Sequence, residues 1–428
     1  MTDDHATPQK VRSQRALAQI LDGQPAAWLR PSGGQATNKT PISPEEIVEA
    51  ELRLGRFRPV LAALFPDGGW DGRVCSPLID FPNQAGFPPF LVKADHALPM
   101  TGSVKARGGV YELLCRIEAI GLMEGVIRPG EDLTALISQA VRALFSRYRI
   151  VVASTGNLGF SIGLTARAFG VGAEIHMSHD AKSWKKDRLR LIGAKVVEHP
   201  CDYTETVACA RAAARETGSY FIDDESSRLL FVGYATAAAE LAEQLARRQI
   251  EIGAATPLVV YLPCGVGGAP GGITAGLKTI YGNNVICVFV EPVASACVFA
   301  ALAAGNGSPI SVYDIGLNNE TIADGLAVPV ASGLVMDSIG ASIDAVVAVT
   351  DAAMLDWVRR SWAEAGLRLE PSAASGFAAM SVFLEATRAA DVAPPAGAVH
   401  VVWTTGGSLL PEDQFRALLH DEKILELT

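Results

Sequence analysis

The chain is short of several features that would each have pointed to a class of function. No apolar stretch in its 428 residues runs far enough without charge to cross a bilayer. The opening MTDDHATPQK is polar and mixed in charge, without the apolar core of an export signal. The expectation is a cytoplasmic protein that works away from the membrane. Cysteine is sparse: Cys75, Cys115, Cys201, Cys209, Cys264, Cys287 and Cys297 are odd in number and show no CxxC spacing. That argues against a disulfide framework and against a zinc site. Long blocks of like charge are absent too. The 36 basic and 46 acidic residues give a net charge of −10, with no footprint for nucleic acid or an anionic membrane. No repeat or low-complexity tract is visible. The partner left over is a small solute, handled by a monomer or small homo-oligomer.

What is present is a long, apolar chain. With 49% hydrophobic residues, it can bury a full core and is too long for one compact core, so two domains are expected. From about residue 150 onward, short β-branched runs alternate with alanine-rich helical stretches, the pattern of parallel strands joined by helical crossovers. Strands are predicted at Arg149–Ala153, Ala173–Met177, Lys195–Glu198, Pro257–Leu262, Val285–Val290, Asp344–Val349 and Ala398–Trp403. Helices are predicted at Gly159–Ala168, Ser183–Ile192, Thr204–Arg215, Gly233–Arg247, Gly272–Ile280 and Asp351–Glu364, each with an apolar face. The first 85 residues lack this alternation and are broken by GGQ, PDGGWDG and FPNQAGFPPF. They read as an extension packed on an α/β body.

Three places carry candidate chemistry. In LVKADHALPMTGSVKARGGVYELL, Lys105 follows a polar turn, Met100–Ser103, and precedes a predicted helix, Val110–Ala119. A lysine near a helix N-terminus has its charged form disfavoured by the dipole. Free amine is what forms an imine. The ordinary alternative is a surface lysine. Second, the run Ile150–Ala153 leads into Ser154-Thr155-Gly156-Asn157 and then a helical pattern. Strand, polar turn and helix make an anion site, since unpaired N–H groups and small hydroxyls converge there; a plain helix cap by Ser154 or Thr155 is the alternative. Third, Cys264-Gly265-Val266-Gly267-Gly268-Ala269-Pro270-Gly271-Gly272 comes directly off a strand, with five glycines in nine residues. Such a backbone can wrap an anion with N–H groups alone. Pro270 stands where a dinucleotide fingerprint from Gly265 needs its last glycine, and no Gly-Lys-Ser/Thr follows. A single phosphate fits better.

A lysine and two anion turns suit a cofactor with one phosphate joined through an imine to a substrate with one carboxylate, which describes pyridoxal phosphate and an amino acid. Near the C-terminus, Val399–Trp403 runs into Thr404-Thr405-Gly406-Gly407-Ser408. A threonine there could offer a neutral hydroxyl to the cofactor's pyridine nitrogen, a partner suited to elimination at Cβ.

At these residues the sequence resembles the bacterial D-serine dehydratases, a branch of the fold-type II pyridoxal-phosphate enzymes. The resemblance runs from about Trp28 onward through DHALPMTGSVKARGG, STGNLGFSIG, HMSHDAKSWKKDRLRLIGAKVVEH, FIDDESSRLLFVGY, YLPCGVGGAPGG, FVEP, TIADGLAVPVASG, LRLEPSAASG and VVWTTGG. It implies a tryptophan-synthase-β-like α/β fold: two open, twisted, mainly parallel sheets with flanking helices and the cofactor in the cleft between domains. The corresponding boundaries are an N-terminal extension over 1–85, a large cofactor domain over 86–108 and 236–428, and a small domain over 109–235. It further implies that Lys105 is the Schiff-base lysine and Asn157 the contact to the cofactor's ring hydroxyl. Gly265, Val266, Gly267, Gly268 and Ala269 would form the phosphate cradle, Thr405 the pyridine partner, and Ser154, Thr155, Gly156 and Asn157 the substrate-carboxylate turn. A monovalent cation such as potassium accompanies this branch; no metal ligand is assigned. Departures are Ala269 and Ser408 where glycine is expected, and Thr101 where serine is commoner. Ala269 is harmless only if its φ is negative.

The implied reaction is dehydration and deamination of D-serine to pyruvate and ammonia, with D-threonine a further substrate. The base that takes the Cα proton is open between Lys105, Thr155 and the pair Asp223 and Asp224, whose plain reading is a solvated acidic turn. His176 and His179 lack a third ligand for a metal. The basic run Lys182–Arg190 reads as an exposed helix face, with Trp184, Leu189 and Ile192 inward. Rival readings are an L-serine or L-threonine dehydratase, a diaminopropionate ammonia-lyase, a non-catalytic pyridoxal-phosphate or amino-acid sensor, and a nicotinamide oxidoreductase, which the broken fingerprint disfavours.

Overall fold

A computed structural model describes residues 15–31, 37–154, 156–179, 181–201, 203–304 and 310–420. The chain divides into two compact units, one built from residues 1–42, 76–97 and 237–428, the other from 43–75 and 98–236. The strands are β1 (Ala26–Leu29), β2 (Leu78–Asp80), β3 (Phe90–Ala94), β4 (Arg149–Ala153), β5 (Gly172–Ser178), β6 (Lys195–His199), β7 (Tyr220–Ile222), β8 (Leu258–Pro263), β9 (Val285–Pro292), β10 (Ala345–Val349) and β11 (Val399–Thr404).

The first unit holds a seven-stranded sheet in the order β1-β10-β9-β8-β11-β3-β2. Its five inner strands are parallel, and β1 and β2 close the two edges antiparallel. Strands β8, β10 and β11 are apolar runs buried almost end to end, as parallel strands covered on both faces must be. The helix Pro371–Ala389 packs on β8, β10 and β11. Proline occupies its first turn, where the missing N–H costs nothing. Phe377 of this helix joins Phe81, Phe90 and Trp357 in an aromatic cluster, with Phe81 and Phe90 stacked at 5.0 Å and Trp357 and Phe377 at 5.2 Å. Burying each such ring is worth about 1.5–3 kcal/mol.

The second unit carries an all-parallel sheet, β6-β5-β4-β7. Beside it the helix Lys105–Met123 packs against two others, Asn157–Ala168 and Arg228–Ala235. Gly108 makes the second approach possible: a Cβ there would lie 2.6 Å from both the Leu230 carbonyl oxygen and the Tyr234 ring.

All seven predicted strands form, each within two residues of its expected ends, and β4 with both ends as expected. Strand β3 was not foreseen because Lys93 interrupts its apolar run, yet that lysine is fully buried. The predicted helix Gly233–Arg247 is two helices, Arg228–Ala235 and Ala237–Arg247, parted at Thr236. The first 85 residues contribute to both units, β1 and β2 to one and the helix Pro44–Leu64 to the other. One boundary falls between Ala97 and Leu98, so Lys105 lies in the unit of the smaller sheet, whereas the sequence reading carried the larger domain to residue 108.

Candidate active site

In the second unit, Lys105 opens its helix rather than preceding it. Its Nζ donates to both carboxylate oxygens of Asp224, at 2.8 and 3.1 Å, and sits 5.9 Å from the centre of the Tyr234 ring. The Lys105 side chain is 20% exposed and that of Asp224 11%. An amine held there is sheltered from water yet reachable. The acidic pair is divided: Asp223 turns away to Arg211, at 2.6 Å, and takes the Ser226 hydroxyl and the Glu225 amide. Further along the lysine helix, Glu112 is buried and accepts from Tyr220 at 3.0 Å and Ser227 at 2.5 Å. Burial pushes its carboxyl up to about 7, with Asp223 and Asp224 adding to the rise against the two hydroxyl bonds. Burial likewise raises the Tyr234 phenol well above its ordinary range, and its oxygen finds no partner among the described residues.

The turn after β4 is arranged around Ser154. Its hydroxyl oxygen accepts from the amides of Gly156, at 3.0 Å, and Gly159, at 2.9 Å, which is the capping arrangement and leaves the hydroxyl proton to donate. Gly156 has φ +150°, a conformation that L residues avoid. Asn157 begins the helix. Thr155 lies outside the described residues.

The basic run departs from expectation. Within the helix Ser183–Leu191, Lys185 and Lys186 are buried, at 6% exposure each. Lys186 donates to the His179 carbonyl at 2.6 Å and to Glu198 at 2.8 Å. The aliphatic part of Lys185 lies directly over Gly156: a Cβ on that glycine would come 2.6 Å from the lysine Cδ. A cationic side chain therefore packs on the candidate carboxylate turn, a feature hidden in the sequence because the run reads as a solvated face. His176 pairs with His199, ring nitrogens 2.7 Å apart, and with Glu174, not with His179. Among the described residues no group of three or more His, Cys, Asp or Glu is placed to hold a metal.

The first unit gathers the glycine turn and the C-terminal threonines. Gly267 has φ +101° and precedes the helix Gly268–Tyr281, whose first turn has no side-chain cap. Its amides are the free donors that a phosphate seeks. Ala269 is the second residue of that helix and is not among the positive-φ residues, so its Cβ adds no strain. A Cβ on Gly265 would meet the Gly325 carbonyl oxygen at 3.1 Å, and one on Gly325 would meet the Ser372 hydroxyl at 3.1 Å. The Glu370 amide donates to the Gly406 carbonyl at 3.2 Å. Four segments distant in sequence thus meet: the glycine turn, Gly325–Leu326, Glu370–Ser372 and Thr405–Gly407. The hydroxyls of Thr405 and Ser372 are buried there without a partner among the described residues. Ser372 was missed by the sequence reading; the signal was a serine in the first helical turn after Glu-Pro. Ser408 stands where glycine was expected, and its hydroxyl donates to the His96 carbonyl.

Behind these threonines runs a buried polar chain. Lys93 pairs with Glu240 and donates to Ser76 Oγ at 2.6 Å and to the Ser76 carbonyl at 2.7 Å. Asp95 accepts from Ser76 Oγ at 2.6 Å and from Trp403 Nε1 at 2.8 Å. The Thr404 hydroxyl donates to the Lys93 carbonyl at 3.0 Å and meets His96 Nδ1 at 2.8 Å. Burial lowers His96 to about 4, against the pull of Asp95. The ring is neutral at pH 7, and the ends of β3 and β11 are tied together just before Thr405.

The second unit thus offers an amine beside a carboxylate, and the first a glycine turn before an uncapped helix and buried hydroxyls without partners among the described residues. The chain belongs to the pyridoxal-phosphate-dependent enzyme family, whose model matches residues 71–404. It is 45% identical over 411 residues to a probable D-serine dehydratase of Cupriavidus pinatubonensis, covering 93% of each chain. It is 42% identical over 419 residues to a probable D-serine dehydratase of Bacillus subtilis, covering 94% of this chain and 93% of the other. Among solved structures, diaminopropionate ammonia lyase from Escherichia coli in complex with an aminoacrylate–pyridoxal-phosphate azomethine has the same fold, with TM-score 0.73 at 18% identity over 94% of this chain and 98% of the other. The processed form of threonine deaminase isoform 2 from Solanum lycopersicum has TM-score 0.62 at 20% identity over 91% of this chain and 98% of the other. The fold is that of the fold-type II enzymes, α/β with mainly parallel sheets, and pyridoxal phosphate is the cofactor. Among the described residues no helix is long and apolar enough to cross a membrane.

Proposed function

We propose that this enzyme is a D-serine ammonia-lyase, converting D-serine to pyruvate and ammonia, with D-threonine as a further substrate. The observation that carries the reading is the Lys105 amine held 2.8 Å from the Asp224 carboxylate, in a chain 40–45% identical along most of its length to probable D-serine dehydratases. Pyridoxal phosphate, when bound, supplies the electron sink for electrons freed at the substrate Cα.

The rest is work for side chains and amides. Lys105 would anchor the cofactor covalently, and the Gly265–Ala269 backbone would hold its phosphate. The Thr405 hydroxyl, buried without a partner among the described residues, would serve the pyridine nitrogen and Asn157 the ring hydroxyl. A neutral hydroxyl in that role would limit the sink, which suits loss of a β-substituent. The Ser154–Asn157 turn holds the substrate carboxylate, and Lys185, packed over Gly156, adds positive charge beside it. Asp224 accepts from Lys105 Nζ, which puts a carboxylate within the hydrogen-bond reach of the lysine nitrogen that general acid–base catalysis requires. Thr155 stays a candidate for the Cα proton. We also include activation by a monovalent cation, potassium, and operation in a reducing cytoplasm as a monomer or small homo-oligomer.

The test is pyruvate release from purified enzyme with pyridoxal phosphate, given D-serine, L-serine, L-threonine or diaminopropionate in turn. D-serine should be preferred by at least tenfold; preference for any of the others overturns the substrate assignment. Borohydride reduction and peptide mapping should place the pyridoxyl group on Lys105, and a label elsewhere would remove the lysine from its role.

A further inference from the structure

A second site lies in the unit of the smaller sheet, at the opposite strand ends from Ser154 and Asp224. A cavity of about 580 Å³ opens beside the first residues of β4 and β7 and is lined by Arg116, Arg147, Arg149, Tyr148, Tyr220 and Thr217, among others. Its volume is in the range of small-molecule pockets. Ser154 follows the last residue of β4 and Asp224 follows β7 by two residues, so the cavity and the catalytic turns sit at the two ends of the same strands.

Charge sets this cavity apart in a chain whose net charge is −10. Arg147 reaches Glu124 at 3.2 Å, and Arg149 reaches Glu174 at 3.3 Å. Both arginine side chains are otherwise open to solvent, 62% and 48% exposed. Arg116 has no such balance. Among the described residues its guanidinium makes no ion pair and no hydrogen bond, its Nε is buried without a partner, and its contact is the face of Tyr220 at 5.0 Å. The nearby Glu112 carboxyl is taken by Tyr220 and Ser227. A buried guanidinium nitrogen left unsatisfied is costly, and guanidinium is the group best shaped for phosphate. The two tyrosines of the lining offer flat apolar surface, the complement of an aromatic ring.

We propose that this cavity is a binding site for a phosphorylated small molecule of nucleoside-monophosphate size, its phosphate on Arg116 with Arg149, its ring against the tyrosines. Occupancy couples to turnover through β4 and β7, whose other ends carry the catalytic turns.

The experiment is isothermal titration calorimetry on the enzyme with pyridoxal phosphate bound, so that the cofactor's own phosphate cradle is filled. The probes are adenosine monophosphate, adenosine and inorganic phosphate. The monophosphate should bind, adenosine should bind at least tenfold more weakly, and the affinity should fall with rising salt. Arg116→Gln should weaken the monophosphate at least tenfold while leaving D-serine turnover without it unchanged. Arg149→Gln, a more exposed position, gives the same readout should the first variant fold poorly. Saturating monophosphate should change D-serine turnover by at least twofold in the parent and leave both variants as they were; a parent indifferent to it overturns the coupling. If inorganic phosphate binds as tightly as the monophosphate, the ring part of the assignment is overturned. If no probe binds at millimolar concentration, or the arginine variants bind as well as the parent, the site itself is overturned.

Discussion

Replacing Glu240 by glutamine tests whether the buried ion pair behind the threonines holds the first unit together. Lys93 Nζ is fully buried, with Glu240, Ser76 Oγ and the Ser76 carbonyl among its acceptors. Glu240→Gln keeps the shape and still accepts from the Ser76 amide, a bond of 2.9 Å, but removes the formal negative charge that touches the ammonium. Breaking one side of a buried pair costs about 3–5 kcal/mol, because the surviving charge has lost its compensation. At about 2–4 °C per kcal/mol for a domain of this class, the melting temperature should fall by roughly 6–20 °C. The second arm adds Lys93→Met. With both charges gone the penalty disappears, and since Gln244 still donates to the Ser76 carbonyl at 2.7 Å, the double variant should recover all but about 1–3 kcal/mol. Urea unfolding followed by tryptophan fluorescence reads both, Trp403 lying 5.9 Å from the Lys93 ammonium. A cost below about 1 kcal/mol for the single variant, or a double variant no more stable than the single, would refute the reasoning.

Asp224→Asn should lower kcat for D-serine by about 10²–10⁴, the range of a lost acid–base partner, and shift its pH profile, while Asp223→Asn, turned to Arg211, should act mainly on stability; steady-state pyruvate assays across pH separate them. Thr405→Val should leave the cofactor-free protein as stable as before, since its hydroxyl has no partner, yet weaken pyridoxal phosphate by roughly tenfold, the worth of one hydrogen bond, as seen by absorbance titration. Gly156→Ala meets both a positive φ and Lys185 Cδ at 2.6 Å, so KM for D-serine should rise at least tenfold with cofactor absorbance retained. For Glu112, burial raises the folded carboxyl from 4.5 to about 7. Between those values the folded chain keeps a proton that the unfolded chain has lost, so stability falls as pH rises through that window, by roughly 3 kcal/mol between pH 4 and pH 8. Glu112→Gln should flatten that slope in urea titrations, and an unchanged slope would remove Glu112 as its source.

How far the sequence could be read depended on where each residue finds its partners. Strands β4, β5, β8, β9 and β11 are legible because their apolar runs end at polar or glycine turns, so local pattern and final burial agree. The helix Pro371–Ala389 is not: its residues from Pro371 to Met380 are all buried, and a helix covered on every side shows no periodicity to detect. The glycine turn was visible by itself, but its neighbours Gly325 and Ser372 were not, because contacts between segments so distant in the chain leave no local trace. Asp223 and Asp224 are adjacent in the chain and point to different cations; which of them meets Lys105 follows from the geometry after β7, not from residue type.

The charged residues that break an apolar pattern carried more information than they first yielded. Lys93 interrupts a strand, Glu112 an apolar helix face, Lys185 and Lys186 a run read as solvated, and all four are buried. Burying such a group without compensation costs several kcal/mol, so each must have a partner built elsewhere in the fold. For Lys93 it is Glu240, for Lys186 Glu198, and for Glu112 two hydroxyls. By the same reasoning Arg116, whose Nε is buried and whose guanidinium meets an aromatic face and no anion among the described residues, marks a place where the partner comes from outside the chain. That makes the arginine cavity the stricter test: Arg116, half-buried, has its Nε enclosed without a partner among the described residues, and a titration that finds no ligand would show that an aromatic face is compensation enough.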